Sequence, residues 1–158
     1  MKLREWFPAL GFAAVAIVGV GGTAAFAPPA KEVQIVVIEH ATTDAVTDTG
    51  AEGDSVGDIL TFANEVFDES NTEVVGTDQG YCIRVVAGVS WECMWTIFLA
   101  DGQMTVEGPF FDAGPSTLAI TGGTGAYANA GGSMELTFNN EDGTEFVFTY
   151  NLVDNILE

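Results

Sequence analysis

Glu39 ends the apolar run Val37-Ile38 and precedes the only histidine of the chain, His40. A carboxyl at that place is an ordinary strand-end charge or, once burial disfavours its charged form, a pocket group able to hold or move a proton. His40 reads as a solvent-facing side chain or as a base. Asn64 either satisfies a turn backbone or points a polar group into a pocket. Arg84 sits in a strongly acidic chain, so it forms an ion pair or clamps a ligand carboxylate. Cys82 and Cys93 are the only cysteines. With one histidine and no CxxC, no metal site is expected. The cluster Gly122-Gly123-Thr124-Gly125 lacks the lysine and helix of a phosphate loop and reads as a sharp corner.

These groups must be positioned by strands. Val33–Glu39 is short, apolar and rich in Val and Ile, which predicts a strand buried on both faces. Residues 41–57 are rich in Thr, Asp and Gly without periodicity and read as a mobile loop. Further strands are predicted at Asp58–Val66, Gly80–Val86, Trp91–Leu99, Gln103–Phe110, Ser116–Thr121, Gly132–Phe138 and Thr144–Leu152. Asp68–Asp78 reads as an acidic connector that includes a short strand at Glu73–Val75. The joins carry turn chemistry, as at Ala87-Gly88, Asp101-Gly102 and Asp142-Gly143. Roughly eight strands without a long helix leave a sandwich or an up-and-down barrel, and the short successive turns favour the barrel. A small closed barrel of that strand number holds one small ligand.

Folding about Ala87-Gly88 places Cys82 opposite Cys93, where an antiparallel pair meets disulfide geometry. Alternation puts Phe146, Phe148, Tyr150 and Leu152 on one face of the last strand, and Trp91, Cys93, Trp95 and Ile97 on one face of another. Most aromatic residues of this set are core, and those that face a cavity touch ligand.

The 158 residues carry 47% hydrophobic residues and 11 Phe, enough for a single packed domain. Residues 1–27 run from Lys2 and Arg4 through an apolar stretch to Ala25-Phe26-Ala27, in the order of a secretory signal. Cleavage after Ala27 or Ala25, or retention as an anchor, all fit that segment, and residues 28–158 form the domain. Its removal takes two of the four basic residues and one of the 23 acidic ones, moving the net charge from −19 to about −20. Such a chain is a poor partner for nucleic acid or anionic membranes. The expected location is secreted or cell-surface, and a disulfide is the default state of two cysteines there.

The order of motifs carries a resemblance. Val56-Gly57-Asp58-Ile59-Leu60-Thr61-Phe62-Ala63-Asn64, then Val75-Gly76-Thr77-Asp78-Gln79-Gly80-Tyr81-Cys82, then Gly108-Pro109-Phe110, then Leu118-Ala119-Ile120-Thr121-Gly122-Gly123-Thr124-Gly125-Ala126-Tyr127 resembles the allene oxide cyclase barrel family. Dirigent proteins are similar. The resemblance spans about Val33 to Leu152. It implies an all-β, eight-stranded antiparallel barrel, a trimer or other homo-oligomer such as a dimer, an apolar cavity and no cofactor. It further implies an apolar small-molecule ligand and a cyclase or isomerase activity, with a non-catalytic binding barrel or a structural surface protein as the alternatives. Glu39 matches a glutamate that stabilises developing positive charge, and Asn64 matches an asparagine beside the reacting group. Cys82 matches a cavity cysteine. The expected ligand contacts are Phe62, Trp95, Phe110, Phe148 and Tyr150. Ala41 and Thr61 depart from the asparagine and proline of the family pattern, and these departures count against the plant cyclases' own reaction.

Overall fold

The computed structural model describes residues 32–153. The expected signal segment, residues 1–27, lies outside the described residues. Nine strands follow in order: β1 (Glu32–His40), β2 (Ala45–Thr47), β3 (Ile59–Asp68), β4 (Val74–Val86), β5 (Ser90–Leu99), β6 (Gly102–Phe111), β7 (Ser116–Gly123), β8 (Gly132–Phe138) and β9 (Glu145–Val153), with one 3-10 turn at Gly125–Tyr127. From β3 to β9 each strand pairs antiparallel with the next, β9 pairs with β1, and β1 pairs with β3. That last pairing closes an eight-stranded antiparallel barrel, with β2 as a short addition on β3. Closure leaves few free edges.

Alternation decides what fills the barrel. Trp91, Cys93, Trp95 and Ile97 of β5 all point inward and are buried, as are Phe146, Phe148 and Tyr150 of β9. Leu152 packs against the same core and is only partly buried. The face that sequence alternation grouped but could not assign is therefore the interior. β1 is buried on both faces only at Val37, Ile38 and Glu39, and Val33 and Gln34 are exposed.

The sequence separates Glu73–Val75 from Gly80–Val86, but the structure joins them in one 13-residue strand, β4. Its middle, Gly76-Thr77-Asp78-Gln79-Gly80, has the composition of a turn and is held extended by ladders to both β3 and β5. Neighbouring strands have overridden local propensity there. Gly80 is required for packing. It lies opposite Trp95, and a Cβ at that position would collide with Trp95 Cβ and Met94 O. The missing side chain lets β5 approach closely at Met94 and Trp95.

The run expected to be a loop, residues 41–57, contains β2 and is tied down by Asp58. This carboxylate accepts from Thr49 N (3.0 Å) and Ser55 N (2.7 Å). The Thr49 and Ser55 donors hold it below the usual carboxylate range. Cys82 pairs with Cys93 in the β4–β5 ladder and is bonded to it, with Cα atoms 4.0 Å apart.

Candidate acid site in the barrel cavity

The site begins with a break in a ladder. β1 pairs with Glu65–Asp68 of β3, and β2 resumes along the same edge at Ile59–Thr61. Between them the chain at Thr42 and Thr43 leaves the sheet, and its N–H groups need other acceptors. Asn64 supplies one. Its Oδ1 accepts from Thr42 N (3.1 Å), Thr43 N (3.0 Å) and Thr43 Oγ1 (2.9 Å). Those donors fix the amide orientation, so Nδ2 faces the other way. It donates to Glu39 Oε1 at 2.7 Å and to Asp44 Oδ1 at 2.8 Å. One buried asparagine thus anchors the loop, and the same side chain holds two carboxyls.

These groups border a narrow cavity inside the barrel. It contains about 380 Å³ of empty space counted out to its open mouth, and the centre of a water molecule can move through about 50 Å³ of it. Of the five expected ligand contacts, Phe62, Trp95, Phe110 and Phe148 line the cavity. Tyr150 is fully buried outside that lining. The aromatic wall is braced by ring contacts, Phe62 and Trp95 edge to face with centres 6.0 Å apart and Trp95 and Phe148 tilted with centres 5.5 Å apart. Glu39 and Asp44 are the only acidic groups in the wall. Cys82 also lines it, but as half of a disulfide it offers no thiol.

Asp78 of β4 is the neighbour that the sequence reading left in an acidic connector. It faces inward opposite Asn64, is 1% exposed, and accepts the Asn64 backbone N–H at 3.3 Å. Glu39 is 5% exposed, and the two carboxyls are within hydrogen-bonding reach of each other. Burial, then the Asp78 charge, raises Glu39 well above the usual carboxylate range, against the pull of the Asn64 donor. Burial likewise pushes Asp78 up to about 7, against the donors of Asn64 and Glu39. Asp78 Oδ2, Trp95 Nε1 and Tyr150 Oη are buried without a hydrogen-bond partner. Trp95 Nε1 lies near the Tyr150 hydroxyl without geometry that satisfies either. Burial and the nearby Asp78 and Glu39 carboxyls hold the Tyr150 phenol above its ordinary value.

The other candidates fall outside this cluster. His40 follows Glu39 in β1 and therefore points to the opposite face, where it stacks on Phe67 at 4.0 Å and bonds Asn71 Oδ1 through Nε2 (2.7 Å). Arg84 lies over the Trp91 ring and pairs with Asp54 and Asp112 at 2.6 Å each. Its Nε and Nη1 donors are occupied by protein carboxylates. Among the described residues no cluster of three or more potential ligands is arranged for a metal ion.

An asparagine with two carboxyls in an aromatic cavity can polarise, protonate or deprotonate an apolar molecule held against them. A family model, the allene oxide cyclase barrel like domain, matches residues 36–148. Among solved structures, a pyocyanin demethylase is similar at 28% identity, covering 73% of this chain and 98% of that chain with a TM-score of 0.63. An exo-specific intermolecular Diels-Alderase, AbnU, matches at 19% identity over 77% of this chain and 98% of its own, TM-score 0.62. The pterocarpan synthase dirigent protein GePTS1 matches at 16% identity over 81% and 86%, TM-score 0.62.

Proposed function

The chain belongs to the allene oxide cyclase barrel like family, and on that premise we propose that it is a cofactor-independent cyclase or isomerase of an apolar small molecule bound in the barrel cavity. The observation that carries the proposal is the pairing of an aromatic cavity with one buried, hydrogen-bonded carboxyl in its wall, Glu39. Phe62, Trp95, Phe110 and Phe148 would hold the ligand in one conformation, which is where a barrel without a cofactor gains rate. Glu39, oriented by Asn64, would meet the charge that develops as the ligand reacts. The related barrels are named for different reactions, a demethylation, a Diels-Alder addition and a dirigent synthesis. What supports a shared theme is a cavity for small-molecule chemistry, not one substrate.

The second reading is a carrier with the same cavity, and the departures at Ala41 and Thr61 favour it. Two further proposals concern context. The Cys82–Cys93 bond suits an oxidising compartment and supports a location outside the cytoplasm. On the outer wall, Tyr81, Ile83 and Val85 of β4 and Met94 of β5 are exposed together, which supports a homo-oligomer, dimer or trimer.

The test is turnover by variants of the molecule that co-purifies with the protein. Glu39→Gln keeps the shape but cannot ionise, so binding should stay within a few-fold while turnover falls about 100-fold or more. Turnover unchanged in Glu39→Gln and in Asn64→Ala would refute the assigned roles. Binding without product in the native protein would favour the carrier.

A further inference from the structure

We propose that Glu39 and Asp78 act as a single acid pair that shares one proton, with Glu39 handing that proton to the substrate and Asp78, behind it, retaining the charge. This deepens the proposed function and rests on the cavity being the substrate site. Glu39 is in the cavity wall, whereas Asp78 is not. Access therefore assigns the delivering role.

Two carboxyls within reach of each other cannot both ionise in a dry site without a cation. None is present. The groups facing the pair are Asp44 from the segment after β1, neutral Asn64 from β3, Trp95 from β5 and Tyr150 from β9. Arg84, the only Lys or Arg among the described residues, is engaged by Asp54 and Asp112. An independent sign is Asp78 Oδ2, buried without a donor. A proton on Glu39 supplies that donor, so one bound proton satisfies an atom that two carboxylates would leave orphaned. Tyr150 Oη, near both carboxyls, is likewise buried without a partner.

The chemistry this allows is proton-initiated. The Glu39 O–H bond breaks as its proton passes to a carbonyl or ether oxygen of an apolar substrate. The carboxylate left behind faces the resulting cation, which closes a ring or rearranges and returns a proton to the pair. No electron is gained or lost, and the net reaction is an isomerisation. The substrate class is thus an apolar molecule with a basic oxygen, rather than a hydrocarbon.

The test is a carbon-13 NMR titration of the side-chain carboxyls in the full-length protein, assigned by loss of signal in Glu39→Gln and Asp78→Asn. In the native protein two coupled steps are expected, both above the usual carboxylate range. In Asp78→Asn the Glu39 midpoint should fall by about one unit or more, a tenfold loss of proton affinity. Asp44→Asn, at the exposed mouth, should move it less. Ordinary midpoints for every Asp and Glu carboxyl in the native protein would overturn the inference, and this reading needs no variant to fold. A Glu39 midpoint unmoved in Asp78→Asn would overturn it as well. No ligand enters the experiment. A failed titration therefore leaves the cavity reading intact, and a failed ligand search leaves the titration standing.

Discussion

Replacing Asp78 by Asn should stabilise this protein at alkaline pH and do so much less in mild acid. Asp78 is 1% exposed, and Arg84, the only Lys or Arg among the described residues, pairs with Asp54 and Asp112 instead. Burial lifts it from an ordinary 3.8 to about 7. The folded chain therefore binds this proton more tightly than the unfolded chain does. Between about pH 4 and pH 7 the folded state holds more protons, so stability contributed by this group falls as pH rises. Above about pH 7 the full cost of an ionised, buried Asp78 is present. A rise of about 3 units at about 1.4 kcal/mol each gives a ceiling near 4 kcal/mol, reduced to the extent that Glu39 shares the proton. The amide keeps an acceptor for the Asn64 N–H and adds a donor toward Glu39. Asp58 and Asp68, whose carboxyls are held low by local donors, contribute equally to both proteins and cancel. The assay is urea unfolding of both proteins at pH 5 and pH 8. With an m-value of about 2 kcal/mol/M, the variant's midpoint should exceed the native one by up to about 2 M at pH 8, and by much less at pH 5. A difference that is equal at the two pH values, or that favours the native protein at pH 8, would refute the reasoning.

Three other outcomes follow from named contacts. Asn64→Ala removes the acceptor of Thr42 and Thr43 and the donor to Glu39. It should cost about 3 kcal/mol and raise the Glu39 midpoint further, read by chemical unfolding and carboxyl NMR. Gly80→Ala drives a Cβ into Trp95. A loss of about 2 kcal/mol and altered tryptophan emission are expected, and a native-like variant would show that β5 does not need that gap. Intact protein treated with a thiol alkylator without reduction should gain no label, because Cys82 and Cys93 are bonded. The double serine variant should lose about 3 kcal/mol in unfolding measurements.

Much of this barrel was legible in the sequence because its informative strands alternate cleanly. Alternation groups Trp91, Cys93, Trp95 and Ile97 on one face and Phe146, Phe148 and Tyr150 on another, and barrel closure turns both inward. The Cys82–Cys93 register followed from the turn at Ala87-Gly88, a local feature that a sequence displays. β2 was not legible, since three exposed residues in a Thr- and Asp-rich run have no periodicity to read. Asp78 was missed for a related reason. Between Gly76 and Gly80 an aspartate carries turn chemistry, and only the ladders on both sides make it an inward strand residue. The meeting of Glu39 with Asn64, 25 residues apart, depends on the β1–β3 closure, a non-local event. Residue type and a family resemblance drew attention to Glu39 and Asn64. The second carboxyl needed the closed barrel.

The central claim is that the cavity beside Glu39 holds an apolar, oxygen-bearing small molecule. Native mass spectrometry of the protein purified from its own host, with any bound compound identified, tests that most directly. The account predicts a defined apolar ligand with a carbonyl or ether oxygen, bound less well when Phe62 or Phe148 is changed to Ala. A protein that is empty, and that also takes up no compound of this class when offered a panel of cyclic ketones and ethers, would contradict it.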